Sequence, residues 1–257
     1  MSVDISPELQ TDNLTSKSTM EDQGAPQRAK PNVTHAIFDL DGLIVDTERV
    51  YTECLDEICG EFGKTFTWEI KSKQMGKKEM ESAQILIDHL SLPMTVDEYL
   101  TKLREKLEVK LPSTPLLPGA EKLIRHLHSN NIPIAVATGS EKWGYNRKIS
   151  GHKELFDLFH HYVLASDDPE VKHGKPAPDC FIVCAQRFQD NPRPEEIVVF
   201  EDAANGAEAG LAAGMRVVWV PDPRADQSVL RGRVDLILET LEQFKPEDFG
   251  LPPYNHH

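Results

Sequence analysis

Short apolar runs that end abruptly in polar residues alternate along much of this chain with stretches whose apolar positions recur every three or four residues. Val33 to Phe38 is the first such run, and it stops at Asp39-Leu40-Asp41-Gly42, which reads as a strand running into a turn. From about Thr47 to Leu111 the spacing becomes helical, with charged stretches such as Lys102 to Lys110 between the apolar positions and almost no strand signal. A linker with Pro112, Pro115 and Pro118 leads to Gly119, and beyond it helix and strand alternate. The pattern predicts helices at 120–130, 153–159, 178–188 and 205–213, and strands at 132–137, 162–165, 197–200 and 216–220, with a last apolar run from Val234 to Leu238. Repetition of this kind predicts an α/β fold, a doubly wound, Rossmann-like parallel sheet. The helical stretch is inserted after the first strand as a cap over the sheet's carboxyl edge. The predicted domains are a disordered tail over 1–31, a core over 32–46 and 116–250, a helical cap over 47–115, and a short C-terminal tail over 251–257.

Composition narrows the classes without changing this picture. With 257 residues, 39% of them hydrophobic, the chain has enough material for one large core plus an insertion. No apolar run approaches the ~20 residues of a membrane span. A formal net charge of −14 opposes nucleic acid as a partner, whereas a small phosphate ester can still be held by a metal, a lysine and backbone N–H groups gathered locally. The first 31 residues are polar and contain Asp4, Glu8, Asp12, Glu21 and Asp22, unlike a secretory or mitochondrial leader, so a cytoplasmic location is expected. Cys54, Cys59, Cys180 and Cys184 lack CxxC spacing and are expected to be free thiols. Trp68, Trp143 and Trp219 are expected in the core or between helices. The histidines, including terminal His256 and His257, form no ligand grouping.

Three of the apolar runs end in residues suited to phosphoryl chemistry: Phe38-Asp39-Leu40-Asp41, Ala137-Thr138-Gly139-Ser140 and Phe200-Glu201-Asp202. In an open parallel sheet such endings converge where ligands bind, beyond the carboxyl ends of the strands. Asp39, Asp41, Glu201 and Asp202 gathered there would repel one another unless a cation stood among them, and all-oxygen ligation suits Mg²⁺. Lys175, in Gly174-Lys175-Pro176-Ala177-Pro178-Asp179, stands on a loop that two prolines hold extended before a helix that Asp179 helps to start.

These motifs, in this order, resemble the haloacid dehalogenase superfamily, in the subclass with a helical cap after the first motif. Asp39 to Gly42, Thr138 to Ser140, Lys175-Pro176 and Glu201-Asp202 match its four motifs. Asp41 to Glu48, Met75 to Lys78, Asp167 to Val171 and Phe249 to Pro252 further resemble pseudouridine-5'-phosphatases and glycerol-3-phosphate phosphatases. The resemblance implies a Mg²⁺-dependent phosphomonoester hydrolase, a monomer, acting on a small phosphorylated metabolite, pseudouridine 5'-phosphate first and glycerol 3-phosphate or another sugar or polyol phosphate as the alternative. It implies Asp39 as nucleophile, Asp41 as general acid and base, and a metal held by Asp39, the backbone carbonyl of Asp41, Glu201 and Asp202. Lys175 and Thr138 are implied to act on the phosphoryl group, with Gly139 and Ser140 beside them, and Glu48 and Gly76 to meet the leaving group. A sugar phosphomutase of the same fold and a non-catalytic binding protein are the competing readings.

Overall fold

The computed structural model describes residues 32–74 and 79–255. The predicted N-terminal tail, Gly76 with its neighbours Met75 to Lys78, and the two terminal histidines lie outside the described residues. Six strands, β1 (His35–Phe38), β2 (Ile134–Thr138), β3 (His161–Leu164), β4 (Ile197–Glu201), β5 (Arg216–Trp219) and β6 (Leu236–Ile237), form one sheet in the order β3-β2-β1-β4-β5-β6. Every pairing is parallel. β1, β2 and β4 are buried along their whole length, which is why these strands read as continuous apolar runs rather than alternating ones. Alternation shows instead in which side of the sheet each residue serves. Ala36, Phe38, Val136, Val198 and Phe200 join one apolar cluster, and Ile37, Ala135, Val199 and Val217 join the other.

Helices α1 (Thr47–Gly60), α2 (Trp68–Gln74), α3 (Glu79–Leu90) and α4 (Val96–Lys110) are inserted between β1 and β2. The continuous helical pattern predicted from Thr47 to Leu111 is thus divided by turns around Gly63 and Pro93. These helices bury a third cluster of their own, including Cys54, Ile58, Ile70, Leu86, Tyr99, Leu103 and Leu107. In α4 the spacing of Tyr99, Leu103 and Leu107 sets one apolar face, and a Thr95–Glu98 capping box starts the helix. The charged stretch from Lys102 to Lys110 lies against α1, pairing Lys102 with Glu61, Lys106 with Glu57 at 2.9 Å and Lys110 with Glu53 at 3.3 Å.

The two chain segments that lead to and from these helices run side by side: Val45 bridges Leu116, Asp46 N–H donates to Pro115 O at 2.9 Å, and Leu117 N–H donates to Ile44 O at 2.9 Å. Elsewhere the helical layer meets the sheet domain through charge and aromatic contacts. Arg104 and Arg147 each lie 4.4 Å from the Trp143 ring, Glu108 pairs with Arg147, and Arg224 lies 4.1 Å from the Trp68 ring. Of the three tryptophans only Trp219 is fully buried. Trp68 is exposed beside Arg224, so its expected place in the core or between helices is corrected.

The sheet's helices are α5 (Ala120–Ser129), α6 (Lys142–Lys148), α7 (Lys153–Phe156), α8 (Asp179–Gln186) and α9 (Ala204–Ala212). α6 was not predicted, because within it Tyr145 is the sole large apolar residue that is buried. Residues beyond 250 continue the packing: Leu251 is buried, and Tyr254 lies against His126. All four cysteines are buried free thiols, and no helix among the described residues is long and apolar enough to cross a membrane.

Candidate active site

The register of β1 on β4 pairs Phe38 with Phe200, so the next residue on each strand, Asp39 and Glu201, emerges side by side at the carboxyl edge. Asp39 is 6% exposed and Glu201 1%. Lys175 reaches between them from the loop before α8. Its Nζ is 2.6 Å from Asp39 Oδ1, 2.6 Å from Glu201 Oε1 and 3.2 Å from the Ala137 carbonyl, so each of its three protons has an acceptor. Burial alone would lower the Lys175 ammonium, but Asp39 and Glu201 hold it well above its ordinary range. Burial pushes the Asp39 carboxyl up, Lys175 opposes that, and the Glu201 and Asp41 charges bring the balance to about 7.

Asp41 is held by a different set of residues. Ser140 Oγ donates to its Oδ2 at 2.7 Å, Thr138 Oγ1 donates to the same oxygen at 3.3 Å, and Lys148 Nζ lies 2.6 Å from Oδ1. Burial would raise the Asp41 carboxyl, but the charge and hydrogen bond of Lys148 together with the hydrogen bonds of Ser140 and Thr47 outweigh it and hold it below the ordinary value. The Ser140 N–H is taken by Thr138 Oγ1 at 3.0 Å. Ser140 therefore serves Asp41 through its side chain. A Cβ on Gly139 would meet nothing within 4 Å, so that side of the loop is open.

Ligand atoms of Asp39, Glu201 and Asp202 lie within 4.8 Å of one another. Among the described residues no side-chain donor is bonded to the Asp202 carboxylate, and burial followed by the Glu201 and Asp39 charges holds it well above the ordinary carboxyl range. Three carboxylates against one ammonium leave negative charge uncompensated, so the donor set fits a hard divalent cation with oxygen ligands, as Mg²⁺ is. The carboxylate of Asp41 is committed instead to Lys148, Ser140 and Thr138.

Two glycines make room for these acids. Gly42 has φ +78°, and a Cβ there would stand 2.3 Å from Asp202 Oδ2; a Cβ on Gly206, in the first turn of α9, would stand 1.7 Å from Glu201 Oε1. Gly206→Ala is expected to displace Glu201, lower stability by about 1–3 kcal/mol and weaken divalent-ion binding, as melting curves with and without Mg²⁺ would report.

The remaining predicted residues are placed less centrally. Glu48, in the first turn of α1, pairs with Lys71 at 2.6 Å. It lines cavities with Trp68 and Arg224 and with Gly42 and Asp202, not the cavity beside Ser140. Asp179 does open α8, but its carboxylate accepts the N–H groups of Lys172 and His173, closing the loop that carries Lys175. Pro178 has φ −77° and ψ −5°, helical rather than the extended backbone expected. Lys148 was not foreseen. Beside it and Ser140 opens a cavity of about 650 Å³ lined also by Tyr51, Arg104, Trp143 and Ser166.

The sequence profile of the haloacid dehalogenase-like hydrolases matches residues 33–214. The (DL)-glycerol-3-phosphatase 2 of Arabidopsis thaliana is 45% identical over 91% of this chain and 98% of its own. The "Probable pseudouridine-5'-phosphatase" of Drosophila melanogaster is 46% identical over 86% of this chain and 96% of its own. In solved structures the same fold recurs in a HAD-family hydrolase of Deinococcus radiodurans R1, with a TM-score of 0.73, 24% identity, and coverage of 87% of this chain and 100% of that one. By its profile, its relatives and its architecture, this chain belongs to the haloacid dehalogenase-like hydrolases.

Proposed function

We propose that this phosphatase hydrolyses pseudouridine 5'-phosphate through an aspartyl-phosphate on Asp39, with Mg²⁺ as its metal. The observation that carries the reading is the separation of two carboxylates two residues apart: Asp39 shares Lys175 with Glu201, while Asp41 is held by Lys148 and Ser140. One is placed to attack phosphorus, the other to move protons.

An Asp39 oxygen attacks phosphorus in line, and the bond from phosphorus to the leaving oxygen breaks. Asp41, ionised beside Lys148 at rest, takes up a solvent proton and gives it to the departing alkoxide, and the resulting carboxylate then takes one from the water that attacks the acyl phosphate, restoring Asp39. Lys175 offsets charge on the nucleophile and on the phosphoryl oxygens, and Thr138 offers its hydroxyl to the latter. Mg²⁺, held by Asp39, Glu201, Asp202 and the Asp41 carbonyl, would supply further charge stabilisation. The inserted helices serve as a cap that bounds the leaving-group side.

The choice of a nucleotide-like leaving group is supported by the 650 Å³ cavity with Tyr51 and Trp143 in its wall, ample for a base and ribose, and by the Drosophila relative. The Arabidopsis relative favours a second reading, glycerol 3-phosphate. Phosphate release from both esters, from other sugar phosphates and from flavin mononucleotide, with Mg²⁺ and with chelator, tests the proposal. Metal-dependent preference for pseudouridine 5'-phosphate supports it, and preference for glycerol 3-phosphate replaces the substrate. Isomerisation of glucose 1-phosphate without phosphate release would favour a mutase, and silence toward every ester a binding protein. Asp41→Asn is expected to slow turnover of alkyl phosphates by about 10²–10⁴-fold without loss of fold, as steady-state rates and circular dichroism would show.

A further inference from the structure

The geometry points to Lys148 as a positioning residue that fixes the proton-transferring carboxylate of Asp41, an assignment that rests on the phosphatase reading above. Lys148 is 5% exposed, and a lysine is rarely buried so far without a partner that needs it. Its Nζ lies 2.6 Å from Asp41 Oδ1 and donates to Ser140 Oγ at 2.7 Å, while Ser140 Oγ donates to Asp41 Oδ2 at 2.7 Å. The carboxylate is thereby gripped at both oxygens from one core segment, Ser140 just ahead of α6 and Lys148 at its end. From the inserted helices, Thr47 at the start of α1 adds to the hold on Asp41, and the Tyr51 ring centre lies 5.9 Å from Nζ.

The two contacts differ in kind. Oδ2 accepts the Ser140 and Thr138 hydroxyls, whereas buried Oδ1 faces the Lys148 ammonium. Held from both sides, the carboxylate plane stays fixed. Lys175 cannot substitute, since its three protons are committed to Asp39, Glu201 and Ala137. Ser140 also explains itself in this arrangement, as the bridge that ties the second motif to the acid–base residue of the first.

The test compares wild type with Lys148→Met, similar in length and uncharged, on two kinds of ester. p-Nitrophenyl phosphate has a leaving group that departs without a proton, and pseudouridine 5'-phosphate or glycerol 3-phosphate, whichever the wild type turns over, has one that requires it. Expected for the variant is a stoichiometric burst of p-nitrophenol at a near wild-type rate, followed by turnover slowed about 100-fold, because water activation also needs Asp41. Alkyl ester cleavage should fall about 100-fold in kcat with KM changed less than about threefold, and Lys148→Arg should recover about a tenth or more of the activity. A burst slowed as much as alkyl cleavage, a rise in KM with kcat unchanged, or unaltered rates would each overturn the assignment. Should Lys148→Met fail to fold, Ser140→Ala removes the bridge with the lysine in place: the same burst-then-slow pattern upholds the proposal, and a uniform loss rejects it. A wild type that releases phosphate from none of these esters sinks the phosphatase reading itself, whereas an active wild type with a uniform loss in the variant sinks only the role of Lys148.

Discussion

Asp39→Asn is expected to lower phosphate release on the order of 10⁵-fold and, at the same time, to raise the melting temperature of the metal-free protein. The loss follows because an amide cannot form the acyl phosphate. The gain follows from linkage. In the folded protein Asp39 keeps its proton up to about 7, against an ordinary value of 3.8 in the unfolded chain. Across that window the folded state binds the proton more tightly, so stability falls as pH rises, and the whole penalty of the ionised carboxylate is present above about 7. Asparagine has no proton to lose. Its advantage over wild type should be absent below 3.8 and widen until about 7, and Mg²⁺ should shrink it by binding the wild type better. Melting curves at a series of pH values decide the matter; a variant that melts below wild type at pH 8 without metal would contradict the account.

Lys175→Met is expected to lower kcat about 10³-fold and stability by about 3–5 kcal/mol, because Asp39 and Glu201 would be left buried without their shared cation. The second effect is opposite in sign to that of Asp39→Asn, although both remove one partner of the same pair. Lys175 spans three acceptors with a single ammonium, a geometry that a planar guanidinium does not reproduce. Lys175→Arg should therefore regain part of the stability and little of the activity. Denaturant titration beside steady-state kinetics reads both quantities, and an Arg variant with wild-type turnover would contradict the tripod.

The carboxylates and Lys175 were legible in the sequence because each stands where an apolar run gives way, and a parallel sheet brings such endings to one edge. What the sequence did not contain was partnership. Lys148 reads as one more lysine in a stretch without apolar periodicity, and only the packing of α6 carries it inward. The available signal was its place eight residues after Ser140, with Gly144 one turn earlier, where an added Cβ would lie 3.9 Å from the lysine's end. Glu48 was read toward the leaving group, and its unforeseen partner Lys71 comes from a helix whose place beside α1 no local pattern discloses. The break-up of the helical stretch into four helices was missed although Gly63 and Pro93 are turn residues, because helical spacing resumes on either side of them. Trp68 was misplaced for a related reason, since an aromatic beside Arg224 packs as well at the surface as inside.

The helical layer is joined to the sheet domain at one paired seam, Val45 beside Leu116, and buries its own apolar cluster. Swinging it outward breaks into neither apolar cluster of the sheet domain. What must be given up is the set of contacts at Trp68, Trp143 and Arg147, worth about 0.5–2 kcal/mol each. Were the layer to act as the proposed cap, a gap of a few kcal/mol would keep an open form at about 0.1–10% of molecules, enough for traffic of ester in and phosphate out without unfolding. Asp39, Asp41, Lys148 and Lys175 all stay behind on the sheet side, so the chemical centre is already assembled while the door is open. Closing it has only to shut out water, and the speed of that door rather than the chemistry can then set the pace of turnover.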